Sequence, residues 1–424
     1  MFFVPAVLWG DSSMASYQTL HIMLLDYAPF LILVASLFII AGGVHINGHI
    51  PHTPSANTLM LMGGAVLASL VGTTGATMLT IRPILRANQA RRHTKHTIVF
   101  LIFLVANIGG ALTPVGDPPL FIGYLHGIPF FWTFKALPPW ITSVGLLLLC
   151  YFLLDTYFYK KHLCEMSGMR AAVAPAESCK HVNDGSQDVK KQKIGIEGAK
   201  NLLFLAGVLA AIIGNGVLAA HPLFFDANAS GVRVFEHAGH SITIPYLNLW
   251  RDGIIALMAW LSWRFTPTAV RIKNNFTWGP IEEVAVLFAG IFITIIPSLS
   301  LLQSRGSELG VSSAVQFFWM SGALSSFLDN TPTYLAFLSL AGQMGSIAGI
   351  TTDLGVVNEE VLLAISCGSV FMGANTYIGN APNFMAKSIA EEHGVAMPGF
   401  FAYMLWAIVF LLPVFYLNVL LYFA

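Results

Sequence analysis

The sequence predicts an all-α polytopic membrane protein, with about ten membrane segments in two inverted repeats, each containing a re-entrant hairpin and a broken helix. Three observations carry that prediction. The 424 residues are 56% hydrophobic and 10% charged, against about 25% charged in soluble domains. The apolar residues fall in runs close to the roughly 20 needed to cross a bilayer. One interrupted motif occurs twice, and the loops beside its two copies differ in charge. This composition excludes soluble enzyme folds. The 21 Lys and Arg balance 21 Asp and Glu, so no basic excess exists to hold nucleic acid. There is no Walker lysine motif, which points to an ion gradient rather than a nucleotide as the energy source.

The expected segments, in order, are Tyr27 to Val44, Thr58 to Ile81, Thr97 to Leu125, Pro139 to Tyr159, Asn201 to Ala220, Leu249 to Phe265, Glu283 to Leu302, Ser313 to Ala341, Val361 to Met385 and Phe400 to Phe423. This divides the chain into an N-terminal repeat (1–159), a polar cytoplasmic linker (160–200), connecting membrane helices (201–280) and a C-terminal inverted repeat (281–424). Met1 to Gly10 is apolar but too short to span and lacks a basic leading region, so it does not read as a cleavable signal peptide.

The second, third, eighth and ninth segments are interrupted by Gly, Pro, Thr and Asn, which a lipid-facing helix does not tolerate. Gly110-Ala-Leu-Thr-Pro-Val-Gly-Asp-Pro-Pro-Leu-Phe121 aligns without gaps on Gly373-Ala-Asn-Thr-Tyr-Ile-Gly-Asn-Ala-Pro-Asn-Phe384 and is identical at six of twelve positions. Unrelated segments would share about one. A His-Gly pair follows each copy, at His126 and His393, and a Thr-rich break precedes each: Gly72 to Thr77 and Leu328 to Thr333. Between the breaks of the first copy lie Arg82, Arg86, Arg91, Arg92 and Lys95 with no acid, whereas Gly342 to Glu360 has acids and no base. Lys and Arg favour cytoplasmic loops, so the two copies are expected to face opposite ways. Lys135, Arg233 and Arg305 are exceptions to the pattern. Inverted repeats that meet at broken helices are the architecture of secondary transporters.

A broken helix presents free N–H groups on one side and free carbonyls on the other, so it can bind ions without a charged side chain. The candidate binding residues are Thr73, Thr74 and Thr77, with Thr113, Gly116 and Asp117, in the first copy. In the second they are Asp329, Asn330, Thr331 and Thr333, with Asn375, Thr376, Gly379, Asn380 and Asn383. Hydroxyl, amide and backbone oxygens around a carboxylate suit a hard cation such as sodium. Asp117 and Asp329 are the sodium candidates, since an acid at membrane depth costs about 2.5 to 3.5 kcal/mol and is retained for function. Proton and sodium would compete for the same carboxylate oxygens, which is antiport. Each acid has a plainer reading as a helix cap or turn residue, and capping is compatible with ion binding.

Other residues carry less. His45, His49 and His52 resemble a metal cluster but are expected in a solvated loop. Asp155 and the pair Arg251/Asp252 are expected at the interface. Cys150, Cys164, Cys179 and Cys367 lack metal-site spacing and read as packing residues. The glycosylation-type triplet Asn228-Ala229-Ser230 is set aside as a chance pattern.

The pairing of Asn107-Ile-Gly-Gly-Ala-Leu-Thr-Pro-Val-Gly-Asp-Pro-Pro119 with Leu328-Asp-Asn-Thr-Pro-Thr333 resembles the ion transporter superfamily, and within it the NhaD-type sodium/proton antiporters and the related citrate transporters. The resemblance implies opposed hairpins, a site between hairpin tips and broken helices, a transport domain that slides against a scaffold, and a homodimer in a bacterial inner membrane. No cofactor is implied; sodium and protons are the transported partners. Dicarboxylate carriers of this superfamily have a Ser-Asn-Thr triplet at each tip, where this chain has Thr73-Thr74-Gly75 and Asp329-Asn330-Thr331. An ionised Asp329 would repel an anion by about 4 kcal/mol at about 4 Å in an effective dielectric near 20. The expected function is therefore that of a secondary active transporter, a sodium/proton antiporter working by alternating access, with sodium-coupled transport of citrate or another dicarboxylate as the alternative. A channel or membrane scaffold is a third, which leaves the inverted duplication unexplained.

Overall fold

The computed structural model describes residues 12–48, 50–173, 195–220, 230–237, 240–305, 308 and 310–424. Among these the chain is almost wholly helical. It opens with α1 (Ser12–Ile22), a π turn (Met23–Tyr27) and α2 (Ala28–Ala41). The segment expected from Thr58 to Ile81 is two helices, α3 (Pro54–Val71) and α4 (Thr73–Ala87), packed against each other. Gly72 between them has φ +82, a left-handed conformation that glycine takes at no steric cost and that ends α3. Then come α5 (Lys95–Leu104), a 3-10 turn (Ile108–Leu112) and α6 (Pro118–Leu125). The stretch Lys95–Leu112 is 89% buried, so α5 is enclosed by protein. A further 3-10 turn (Phe130–Ala136) leads into α7 (Leu137–Val173), so the stretch expected as linker begins as helix.

The middle of the chain is α8 (Lys200–Ala220), α9 (Tyr246–Phe265) and α10 (Thr268–Lys273). After α11 (Gly279–Arg305) the order of the first half returns. Helices α12 (Ala314–Ser325) and α13 (Asn330–Gln343) pack together, followed by α14 (Glu359–Met372), a 3-10 turn (Gly373–Asn375), α15 (Ala381–Glu392) and α16 (Phe400–Tyr422). Helices α6 and α15 also end alike. His126 and His393 are the C-caps, Gly127 and Gly394 have positive φ, and the next amides, of Ile128 and Val395, donate to Gly123 O and Ala390 O at 3.0 Å each. These are matching left-handed glycine stops.

Seven helices among the described residues are long and apolar enough to cross a membrane. The other expected segments fall short for visible reasons. Helix α9 carries Arg251, Asp252 and Arg264, and the eighth and ninth segments are each split in two. Three short antiparallel strand pairs qualify the all-α expectation: β1 (His45–Asn47) with β2 (Gly195–Glu197), β3 (Gly231–His237) with β4 (His240–Pro245), and β5 (Ile350–Thr352) with β6 (Gly355–Val357).

Several outlying residues lie elsewhere than expected. Asp155 is fully buried instead of interfacial. It binds Arg91 through both oxygens, at 2.5 and 3.0 Å, and His96 Nε2 at 2.7 Å, with Asn57 donating at 3.2 Å. Arg251 is also buried, paired with Asp252 at 2.8 Å and lying over the Phe121 ring. His45 is buried against Asn274, with 2.7 Å between Nδ1 and Oδ1, and is not in a solvated loop. Cys367 is buried and Cys150 half-buried, as packing residues should be. Of the exceptions to the charge pattern, Lys135 pairs with Glu359 and Arg233 with Glu236. Met1 to Gly10, His49, Cys179, Asn228 and Ala229 lie outside the described residues, as do the side chains of Cys164 and Arg305.

Candidate functional site

Four helix N-termini meet around one carboxylate. The N-caps are Gly72 for α4, Asp117 for α6, Asp329 for α13 and Asn380 for α15. Proline at the start of α6 and α15 favours a helix beginning there, because its missing N–H has no partner to lose. Asp117 is 1% exposed. Its Oδ1 accepts from the Thr73 hydroxyl at 2.9 Å and the Asn380 amide at 3.3 Å, and its Oδ2 accepts from the Asn330 amide at 2.9 Å. Thr73 stands one residue into α4 and Asn330 one residue into α13, so the first residue of each second hairpin helix donates to the same carboxylate. Among the described residues, no lysine or arginine approaches it within ion-pair distance.

The breaks are held by the same bonds in both copies. The Thr113 hydroxyl donates to Ser69 O at 2.5 Å and accepts from the Val115 amide at 3.2 Å. The Thr376 hydroxyl donates to Ser326 O at 2.5 Å and accepts from the Ile378 amide at 3.2 Å. Ser69 donates to Gly109 O at 2.5 Å, and Ser326 to Met372 O at 3.2 Å. Thr113 and Thr376 therefore tie each broken segment to the hairpin tip beside it. Gly110 lets the tip come close: a Cβ there would stand 2.7 Å from the Thr73 methyl carbon and 2.8 Å from the Gly116 carbonyl oxygen. At Gly373 the same addition would meet Asn330.

The other expected residues divide between the carboxylate and its supports. Gly116 O accepts the Thr73 amide at 2.8 Å, which fixes the tip against the break. Asp329 is half-exposed and caps α13, accepting the Thr331 amide at 3.0 Å, while the Thr333 hydroxyl donates to Asp329 O at 3.1 Å. Asp329 thus meets its plainer reading as a cap, and it is Asn330 that reaches Asp117. Asn383 donates to Gly373 O and Thr376 O at 2.9 Å each, and Asn375 donates to Ser326 at 2.9 Å. The Gly379 amide donates to the Thr376 hydroxyl at 3.1 Å. Thr77, one turn along α4 from Thr73, is fully buried and its hydroxyl has no hydrogen-bond partner among the described residues. Thr74 lines a cavity of about 40 Å³ that reaches Asp117 between α2, the first hairpin tip and the first break.

Sequence reasoning missed four members of this network. Ser69, Ser325 and Ser326 read as ordinary small residues in helices, yet each supports a break or a tip; Ser325 donates to Asn330 Oδ1 at 2.6 Å and so orients the amide that reaches Asp117. Asn107 donates to Asn383 Oδ1 at 2.7 Å and accepts from Asn380 at 3.3 Å, bridging the two copies. Its signal was available, as a fully buried amide inside an apolar run.

The profile of the family described as "Putative citrate transport" matches residues 1–423. The chain belongs to that family. No curated protein matches it. With seven helices among the described residues long and apolar enough to cross a membrane, it is an integral membrane protein and a transporter.

Proposed function

We propose that the chain is a sodium/proton antiporter that works by alternating access, with Asp117 as the carboxylate that carries sodium and protons in turn. The observation that carries this reading is the buried Asp117 carboxylate, bonded by both copies and with no basic partner among the described residues. All three of its partners donate, which suits the ionised form. When a proton arrives on Oδ1, the Thr73 hydroxyl can turn and accept it, so both states keep their hydrogen bonds. Sodium in place of the proton would draw on oxygens that lack a donor, of which the Thr77 hydroxyl is one. Asp329, spent partly on its cap, adds a second negative charge close by.

The electrostatics weigh against a multiply charged anion. Each helix N-terminus acts as about half a positive charge, and Asp117 and Asp329 together offset the four. Little net attraction remains for a dicarboxylate or tricarboxylate. The cavity at Asp117, about 40 Å³, also lies well below the roughly 300 to 1,000 Å³ of small-molecule sites.

An inverted arrangement of the repeats is supported by which ends touch. The end of α6 meets the inter-break loop of the second copy, with His126 Nδ1 2.8 Å from Asp353 and the Asp353 amide donating to His126 O at 3.2 Å. Reciprocally, His393 and Gly394, at the end of α15, border the same cavity as the basic loop of the first copy. Copies in parallel would bring like ends together.

The second reading, sodium-coupled citrate or dicarboxylate transport, is favoured by the family description and by the convergence of four helix N-termini, a ready-made anion site. Reconstituted vesicles separate the two. Antiport requires that a sodium pulse, with no organic acid present, moves protons across the vesicle membrane. Sodium-dependent uptake of labelled citrate without that proton movement would overturn the proposal and leave the second reading.

A further inference from the structure

Asp26 takes no part in the bonds around Asp117, although it lies well inside the apolar span Ser16–Ala41 and is 5% exposed. An acid at that depth is costly to keep, and it falls in the π turn Met23–Tyr27, a geometry frequent at functional positions. Facing it is His126, the buried C-cap of α6. The ring stands between two carboxylates. Its Nδ1 is 2.8 Å from Asp353 in the acidic loop of the second copy. Its Nε2 is 3.7 Å from Asp26 Oδ1 and has no hydrogen-bond partner among the described residues. The Asp353 side chain is 59% exposed, so a continuous row of titratable groups runs from water to a buried acid. His21, on α1 just before the π turn, also acts on Asp26. Helix α11 packs on the same turn through Phe292, whose ring meets Tyr27, while its acids Glu282 and Glu283 stand near its start.

We propose that Asp353, His126 and Asp26 form a proton relay that loads the transporter from the side of the second copy's acidic loop. Its destination rests on the antiport reading. Phe30, one turn on from Asp26, and Phe121 of α6 both line the cavity at Asp117, and α2 packs against α6, so Asp26 stands at one end of this seam and Asp117 at the other. Imidazole suits the middle position because one nitrogen can take a proton while the other gives one up. With the ring proton on Nε2, Asp353 passes a proton taken from water to Nδ1. The Nε2–H bond then breaks and its proton passes to Asp26 Oδ1. Asp353 ends ionised, Asp26 ends neutral, and the ring, left protonated at Nδ1, turns over to reset. The 3.7 Å gap exceeds hydrogen-bond length, so the second transfer requires a small swing of the Asp26 side chain.

The test uses full-length protein in vesicles with the same buffer on both sides, so that its orientation does not matter. Sodium-driven proton movement should be about a hundredfold slower in His126→Gln and in Asp26→Asn at pH about 9, where protons are scarce and a positioned donor contributes most. The deficit should shrink toward pH about 6, where protons are plentiful. Exchange of labelled for unlabelled sodium moves no proton and should keep most of its rate in both variants. Wild-type proton rates in both variants, or equal loss of proton movement and sodium–sodium exchange at every pH, would overturn the relay; the latter is the mark of a purely structural contact. If the wild-type protein moves no protons on a sodium pulse, the antiport reading falls, and infrared difference spectra on acidification decide the relay separately. A carboxylic acid band that Asp26→Asn removes supports it, and the loss of no band overturns it.

Discussion

Replacing Asp117 by Asn changes one atom in the centre of the molecule, and its consequences can be worked from the bonds around it. The carboxylate accepts three hydrogen bonds, from Thr73, Asn380 and Asn330. An amide in its place offers one accepting oxygen and one NH₂ group. If the oxygen stays toward Thr73 and Asn380, the NH₂ group meets the Asn330 amide, donor against donor. Asn330 cannot simply turn over, because its Oδ1 accepts from Ser325 at 2.6 Å. The unsatisfied contact costs about 1–3 kcal/mol, offset in part because a buried charge is removed. The expected protein therefore folds, with a modestly lower unfolding temperature, and carries no exchangeable proton at the site. In vesicles loaded with a pH-sensitive dye, wild-type protein should give a proton signal on a sodium pulse and Asp117→Asn should give none. Asp329→Asn is the matched comparison: Asn also caps helices well, so α13 should persist and exchange should continue with weaker sodium dependence. Wild-type exchange in Asp117→Asn, with loss in Asp329→Asn, would refute the assignment and move the proton to the second acid.

Gly110→Ala should destabilise the protein by about 1–3 kcal/mol through overpacking and slow exchange by pushing Thr73 away. Gly63→Ala, with nothing within 4 Å of the added carbon, should gain about 0.5–1 kcal/mol in the same thermal unfolding assay and leave exchange intact. Asp155→Asn leaves Arg91 buried without its carboxylate and should cost about 3–5 kcal/mol; an additional Arg91→Met should recover much of that, and no recovery would mean the pair is not the source of the loss. His126 gives a pH dependence. Burial disfavours its charged form, but the hydrogen bond to Asp353 and the Asp26 carboxylate outweigh burial and raise its pKa. Its link to Asp353 is then complete below the unfolded histidine value and weakens as pH rises through the folded one. Unfolding temperature should fall over that alkaline interval in wild type and fall less in Asp353→Asn.

Much of the architecture was legible because the membrane imposes coarse rules. A run of about 20 apolar residues has few alternatives, and a Thr–Gly–Asn break inside one is conspicuous. The twelve-residue duplication was equally open to reading, and the bonds of Thr113 and Thr376 repeat in the order that its alignment requires. Helix length was harder. Whether Thr58 to Ile81 is one helix or two depends on the sign of φ at Gly72, and composition is indifferent to that sign. Burial of charge was hidden for a related reason. Asp155 lies near the end of an apolar run, where an acid is expected to reach water; what keeps it inside is a guanidinium, an imidazole and an amide from three other parts of the chain.

The same limit explains the two acids of the site. Sequence placed Asp117 and Asp329 on equal terms, each beside a break. The duplication itself contains the asymmetry, since Asp117 aligns with Asn380, and Thr73 and Asn330 each stand one residue beyond an N-cap. The second copy has thus put an amide where the first has its acid, and an acid on the cap where the first has Gly72. A pair of repeats with an acid at both equivalent positions would set two carboxylates against each other in a dry site, where like charges at close range repel strongly. One acid with one amide lets the two copies bond to each other through Asp117 in the ionised state, and a single proton or cation then changes the charge of a junction that both copies share.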